Sequence, residues 1–293
     1  MVNLGTLPAP DMAIDARLQR QLADFNQRRL RPGLPDDEIH PDAHALHQTE
    51  LRFLEAERRK IAATAAQAPD DPDGFVRWFE ALREHGAGQG DPLFPWLAEI
   101  ASLAQVRWFL AQEVAGEAGF DDLLALTQVQ MPAQAKLEMA RNFWDELGRG
   151  HATGMHGPML ARLAATVQAH LPIEAVVPES LALANLMMAM AANRPYAYHS
   201  VGALGVIELT APDRAEQVNA ALKRHGLAAH DRQYFALHAT LDKRHSAAWD
   251  REVLASLVAA EPRTARAMAE GALLRLAAGA RCFARYRRHF GQG

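Results

Sequence analysis

Residues 238–250 read HATLDKRHSAAWD, two histidines and two aspartates within a chain dominated by Ala and Leu. On an α-helix, at about 100° per residue, Asp242 falls about 40° to one side of His238 and His245 about 20° to the other. The same stripe runs back to Tyr234 and on to Trp249, while Lys243 and Arg244 fall well off it. A solvent face collects long cations; this stripe collects aromatics, so the His–Asp–His trio is expected to point inward. Asp250, about 120° from His238, drops out of the cluster. Buried histidine and aspartate need partners, either a metal ion or a hydrogen-bonded core network. With 13 His and 35 acidic residues in 293, this spacing arises by chance in fewer than one chain in ten, so the motif alone leaves both partners open.

The surrounding sequence is helical in character. Ala, Leu, Arg, Glu and Gln dominate, β-branched residues are sparse, and AVV at 175–177 is the only strand-like run. Helices are expected near 12–30, 41–67, 72–86, 94–117, 119–130, 132–148 continuing to about 170, 178–193, 196–209, 211–225, 230–259 and 262–289. Thr210, Pro212 and Asp213 read as the start of a new helix, and Gly226 as a C-terminal cap. RPGLPDD (31–37) and GAGQGDP (86–92) are turn-rich linkers. The second follows no strand and lacks GKS or GKT, so it is not a phosphate loop. The expected organisation is a helical extension over 1–92 and a helical domain over 93–293.

Composition removes several function classes. A formal net charge of −4 gives no basic excess for nucleic acid or an anionic membrane. The most apolar run, SLALANLMMAMAAN (180–193), is too short to span a bilayer, and the N-terminus lacks the layout of a signal peptide. A single cysteine, Cys282, excludes an intrachain disulfide, a zinc knuckle and an iron–sulfur cluster. These features lead us to expect a soluble, cytoplasmic protein with neither a nucleic-acid nor a membrane partner.

A metal held between helices draws carboxylates and imidazoles from several of them, and oxygen and nitrogen donors suit iron. Glu208 is the only carboxylate in the apolar segment YHSVGALGVIELTAP (198–212), where Gly202 and Gly205 permit close helix approach. NFWDELGRGHATGMHGPML (142–160) offers Asp145, Glu146, His151 and His156; on a continuous helix Glu146 and His156 serve one side and His151 faces away. RWFLAQEVAGEAGF (107–120) offers Glu113, the better inward candidate, and Glu117. Each also has a plainer reading: a helix-end charge for Glu208, a charged helix end with a glycine turn for 142–160, a surface pair for Glu117.

Over residues 105–260 these elements resemble the haem-oxygenase-like dimetal-carboxylate oxidases and oxygenases, often named iron-containing redox enzymes. The most specific part is Glu208, a thirty-residue gap, then His238, Asp242 and His245; upstream stand a glutamate in the context WFLAQE and DELGxG with a following histidine. The resemblance implies an all-α, haem-oxygenase-like bundle and a metal set of Glu113, His156, Glu208, His238, Asp242 and His245, with Glu146 as a seventh ligand and Glu208 placed to bridge. It further implies two Fe(II) ions, O2 as co-substrate, and electrons from a separate reductase or a small reductant. The ten residues between Glu146 and His156 match members that N-oxygenate amines; oxidative C–C cleavage or desaturation of an amino or fatty acid is the runner-up. His238 and His245 stand about 10 Å apart along a helix axis, so the trio is expected to divide between two metals, or the helix to bend. A homodimer is left open.

Two other classes stay in view. A metal-free enzyme of this fold needs a nucleophile, and Cys282 has no nearby acidic partner; a haem oxygenase needs a proximal histidine, for which only His40, His44 and His47 lie near the chain start. A helical binding protein with the trio as a core network is the third reading.

Overall fold

The computed structural model describes residues 14–34, 41–116 and 119–292. The start of the first expected helix, the end of the expected linker at 31–37, His40 and Glu117 lie outside them. Fourteen α-helices follow in order: α1 (Ala16–Leu30), α2 (Ala43–Ala65), α3 (Pro72–Glu80), α4 (Leu82–His85), α5 (Leu93–Glu99), α6 (Leu103–Gly116), α7 (Phe120–Thr127), α8 (Ala133–Glu146), α9 (His156–Val167), α10 (Pro178–Ala192), α11 (Ala197–Arg224), α12 (Gln233–Ala248), α13 (Ala255–Ala260) and α14 (Thr264–His289). The expected all-α class is observed: the described residues hold one isolated β-bridge and no strand. The candidate strand at 175–177 is instead the end of a short 3₁₀ turn, Ile173–Ala175, and the extended lead into α10.

The apolar run noted at 180–193 is α10, buried on nearly every side, as a helix apolar all round must be. No described helix is long and apolar enough to cross a membrane. α10 packs against α1, α14 and α6; α11 packs against α14, α12 and α5. Two glycines make the α11–α14 crossing close. A Cβ on Gly202 would stand 1.9 Å from the Met268 carbonyl oxygen, and one on Gly271 1.8 Å from that of His199. Gly205 likewise admits the Trp249 indole, 2.5 Å from where its Cβ would be. Helices α2 and α3 share this core: Leu54, Ile61, Phe75, Trp78 and Phe79 belong to the same buried cluster as Leu186, Leu204 and Leu273.

Four expected boundaries differ, each for a local reason. The helix expected over 94–117 is two, because Ser102 opens α6 with a reciprocal cap: its backbone N–H donates to Gln105 Oε1 at 2.8 Å and its hydroxyl accepts from the Gln105 N–H at 3.4 Å. Thr210 caps nothing. Its hydroxyl donates to the Val206 carbonyl at 2.6 Å, and α11 runs on through Pro212. The buried residues Leu204, Leu209, Val218 and Leu222, on both sides of the proline and packed against neighbouring helices, outweigh its local preference. The helix expected over 132–170 is broken at 147–155, where Gly148, Arg149 and Gly150 all take positive φ (60°, 53° and 84°). The helix expected over 230–259 changes to a π-helical turn at Trp249–Leu254. Gly226 does follow the end of α11 with φ 79°.

Candidate metal centre

Four helices converge on one buried cluster. Glu146 is the last residue of α8, His156 the first of α9, Glu208 lies midway along α11, and His238, Asp242 and His245 come from α12. Ligand atoms of Glu146, His156 and His238 all lie within 4.8 Å of one another, and so do those of Glu208, Asp242 and His245. The α12 trio is thus divided between two groups. His238 is half-buried and the other five residues are buried, while Lys243, Arg244 and His151 are exposed.

Glu146 and His156 meet by a route the helical angles did not contain. Ten residues apart on one helix, they would be separated by about 15 Å. Instead the glycine-rich loop reverses the chain, with an antiparallel bridge between Leu147 and Met155 at its neck. His156 Nδ1 then stands 2.7 Å from Glu146 Oε2. A Cβ on Gly148 would fall 2.3 Å from the Gly154 carbonyl carbon, so only glycine fits this neck.

Surrounding groups orient the cluster. His245 Nε2 is 3.0 Å from Asp145 Oδ2, which turns Nδ1 toward Glu208 Oε2 at 3.5 Å. Arg149 holds Asp145 in turn, its Nε donating to Oδ1 at 2.6 Å. Asn142 Nδ2 donates to Glu208 Oε1 at 2.7 Å. His238 donates through Nδ1 to the Tyr234 carbonyl at 2.7 Å, directing Nε2 inward. Sequence reading missed Asn142 and the role of Asp145; their signal was the NxxDE spacing, which puts Asn142, Asp145 and Glu146 on one side of α8. It also missed Asp121 at the start of α7, whose charge acts on Glu146 and His156.

The electrostatics are those of a group of side chains built to face a cation. Burial, then the Glu208 charge, pushes the Glu146 carboxyl up to about 9. Burial, then Glu208 and Glu146, pushes Asp242 up to about 10. Burial drives His156 and His238 down to about 4. Burial also opposes charge on His245, but Glu208 and Asp145 outweigh it and hold it up at about 9. Crowded carboxylates therefore keep protons that a metal ion would replace. His156 Nδ1 and His245 Nδ1 are buried and face the Glu146 and Glu208 carboxylates at 2.7 and 3.5 Å without the geometry of a hydrogen bond. Carboxylate–imidazole groups with free inward nitrogens fit iron.

The remaining implied residue, Glu113, joins neither group. It accepts a hydrogen bond from Tyr286 Oη at 2.9 Å, and burial raises its carboxyl. It does line a cavity of about 150 Å³ that also reaches Glu146, Glu208, His238 and Asp242. The Cys282 thiol is buried and pushed up to about 12, unsuited to a nucleophile. His44 and His47 lie on α2, outside the cluster.

No curated protein matches the chain. The sequence profile of the iron-containing redox enzymes matches residues 107–280, more than half of the chain. That span takes in all six clustered residues and the loop that joins two of them, and the protein belongs to this family of oxidoreductases.

Proposed function

We propose that the protein is a non-haem diiron oxygenase or oxidase that uses O2 and an external reductant on a small organic molecule. The observation that carries this reading is the pair of buried three-residue groups, each mixing carboxylate and imidazole, beside one cavity. Glu146, His156 and His238 would hold one ion; Glu208, Asp242 and His245 would hold the other. Bound iron would supply the electrons and the O2 chemistry that no side chain here provides.

The chain's own residues do the rest. Asp145 and the Tyr234 carbonyl fix the rings of His245 and His238 through their outer nitrogens, so the inner nitrogens need no reorientation on loading. Asn142 restrains one Glu208 oxygen and leaves Oε2 toward His245. Phe109, Phe120, Phe235 and Phe283 line the cavity and exclude water from beside the cluster.

For the reaction we favour N-oxygenation of an amine, supported by the Glu146–His156 spacing and their contact. The aromatic cavity also suits C–C cleavage or desaturation of an amino or fatty acid. Anaerobic loading with Fe(II) should give about two irons per chain, with O2 uptake on exposure to air. No iron bound by the wild type, or equal binding after Asp242→Ala, overturns the reading. Nitro or hydroxylamine products, against released CO2, decide the reaction.

A further inference from the structure

The cavity carries charge that the metal cluster does not use. Arg214, on α11, lies about 9 Å along the helix axis from Glu208, and Arg275 comes from α14; both line the cavity. The Arg214 guanidinium lies 5.6 Å from the centre of the Phe283 ring and 6.0 Å from that of Phe94. Its hydrogen-bond partners are neutral: Thr210 Oγ1 at 3.1 Å and Gln89 Oε1 at 3.5 Å. Among the described residues Arg275 makes no hydrogen bond or ion pair. Gly279 makes room for it, since a Cβ there would stand 2.8 Å from Arg275 Nη1.

The carboxylates whose charge reaches Arg214 are Glu113 and the exposed Asp213, and of these only Glu113 lines the cavity. At this end of the cavity two guanidinium groups face one carboxylate, Glu113, among apolar side chains; the other carboxylates that line the cavity, Glu146, Glu208 and Asp242, belong to the metal cluster and are not among the charges that act on Arg214. Burial and the Arg275 charge push Arg214 down to about 10, the signature of a cation held without enough counter-charge. A buried unpaired charge is costly, and a bound anion would relieve it.

We propose that Arg214 and Arg275 form the anion-binding end of the substrate cavity, holding the carboxylate of a small acid whose apolar body lies along Phe94, Phe109 and Phe283. The planar guanidinium fork matches a carboxylate in geometry and charge. One excess charge selects a monoanion, and the separation from Glu208 selects a short body. Only the direction of the substrate's far end, toward the metal cluster, rests on the diiron reading; anion binding itself does not.

The test uses the full-length, metal-free protein and calorimetric titration with 3-phenylpropanoate and, separately, its amide. The acid should bind at least about tenfold more tightly, as a charge-assisted bidentate contact requires. Arg275→Gln and Arg214→Gln should each erase that preference with helical content and Fe(II) stoichiometry unchanged, and Arg275→Lys should keep part of it. Equal affinity for acid and amide, no acid binding by wild type at millimolar concentration, or a preference surviving both Gln variants overturns the proposal. Retention of iron by Asp242→Ala refutes the diiron reading while leaving a positive acid result standing.

Discussion

Asp145→Ala separates an orienting carboxylate from a ligating one. The substitution removes the 3.0 Å contact to His245 Nε2 and frees the ring to turn its Nδ1 away from Glu208. A hydrogen bond to a charged group contributes about 1.5–3 kcal/mol. At about 1.36 kcal/mol per decade this is a roughly ten- to hundredfold loss of affinity, the range found for outer partners of ligating histidines. The loss should fall on one ion only, because His245 groups with Glu208 and Asp242 while Glu146, His156 and His238 form the other group. Fe(II) titration against a competing chelator should therefore show one weakened step and one unchanged step. Folding stability should change little, since the Arg149–Asp145 pair has an arginine that is 66% exposed and such pairs contribute under about 1 kcal/mol. Equal weakening of both steps, or of neither, refutes the division of ligands.

Gly148→Ala should cost about 1–3 kcal/mol, because alanine must take φ 60° and its Cβ collides with Gly154. Thermal melts should show the loss, and Fe(II) affinity should fall in the step that uses Glu146 and His156. A second outcome concerns acid stability. Burial alone would raise Glu270, but His199 and Arg58 hold it down at about 2, against an ordinary value of 4.5. Its stabilising contribution is thus present above pH 4.5 and lost as pH falls toward 2. Denaturant midpoints of wild type and Glu270→Gln should differ most above pH 5 and converge near pH 2; a constant difference contradicts the assignment.

Much of the helical architecture was legible in the sequence because it depends on local properties. The stripe from Tyr234 through His238, Asp242 and His245 follows from helical period alone, and so does the exposure of Lys243 and Arg244. The path between Glu146 and His156 was not legible, because periodicity assumes a continuous helix and three consecutive positive-φ residues end it. Pro212 misled in the other direction: a local breaking signal lost to packing on both sides of α11. Asn142 and Asp145 were visible as polar residues, but their roles depend on the approach of α11 and α12, which no pattern within α8 encodes. Glu113 was carried over from its context; it accepts a hydrogen bond from Tyr286 and feels the charges of Arg275 and Arg214, outside both three-residue groups.

The proline inside α11 has a consequence for how the cavity adapts. Pro212 has no N–H to donate to the carbonyl four residues back, and that carbonyl belongs to Glu208. The backbone is therefore least tied where the helix passes from its metal-facing half to its arginine-bearing half. The first half is clamped to α14 by Gly202 and Gly271. The second half is held by α5 and α12 instead, so a small bend about the proline, with those neighbours following, would lengthen or shorten the gap between Glu208 and Arg214. A jointed ruler of this kind would let one rigid cluster accept acids of slightly different length.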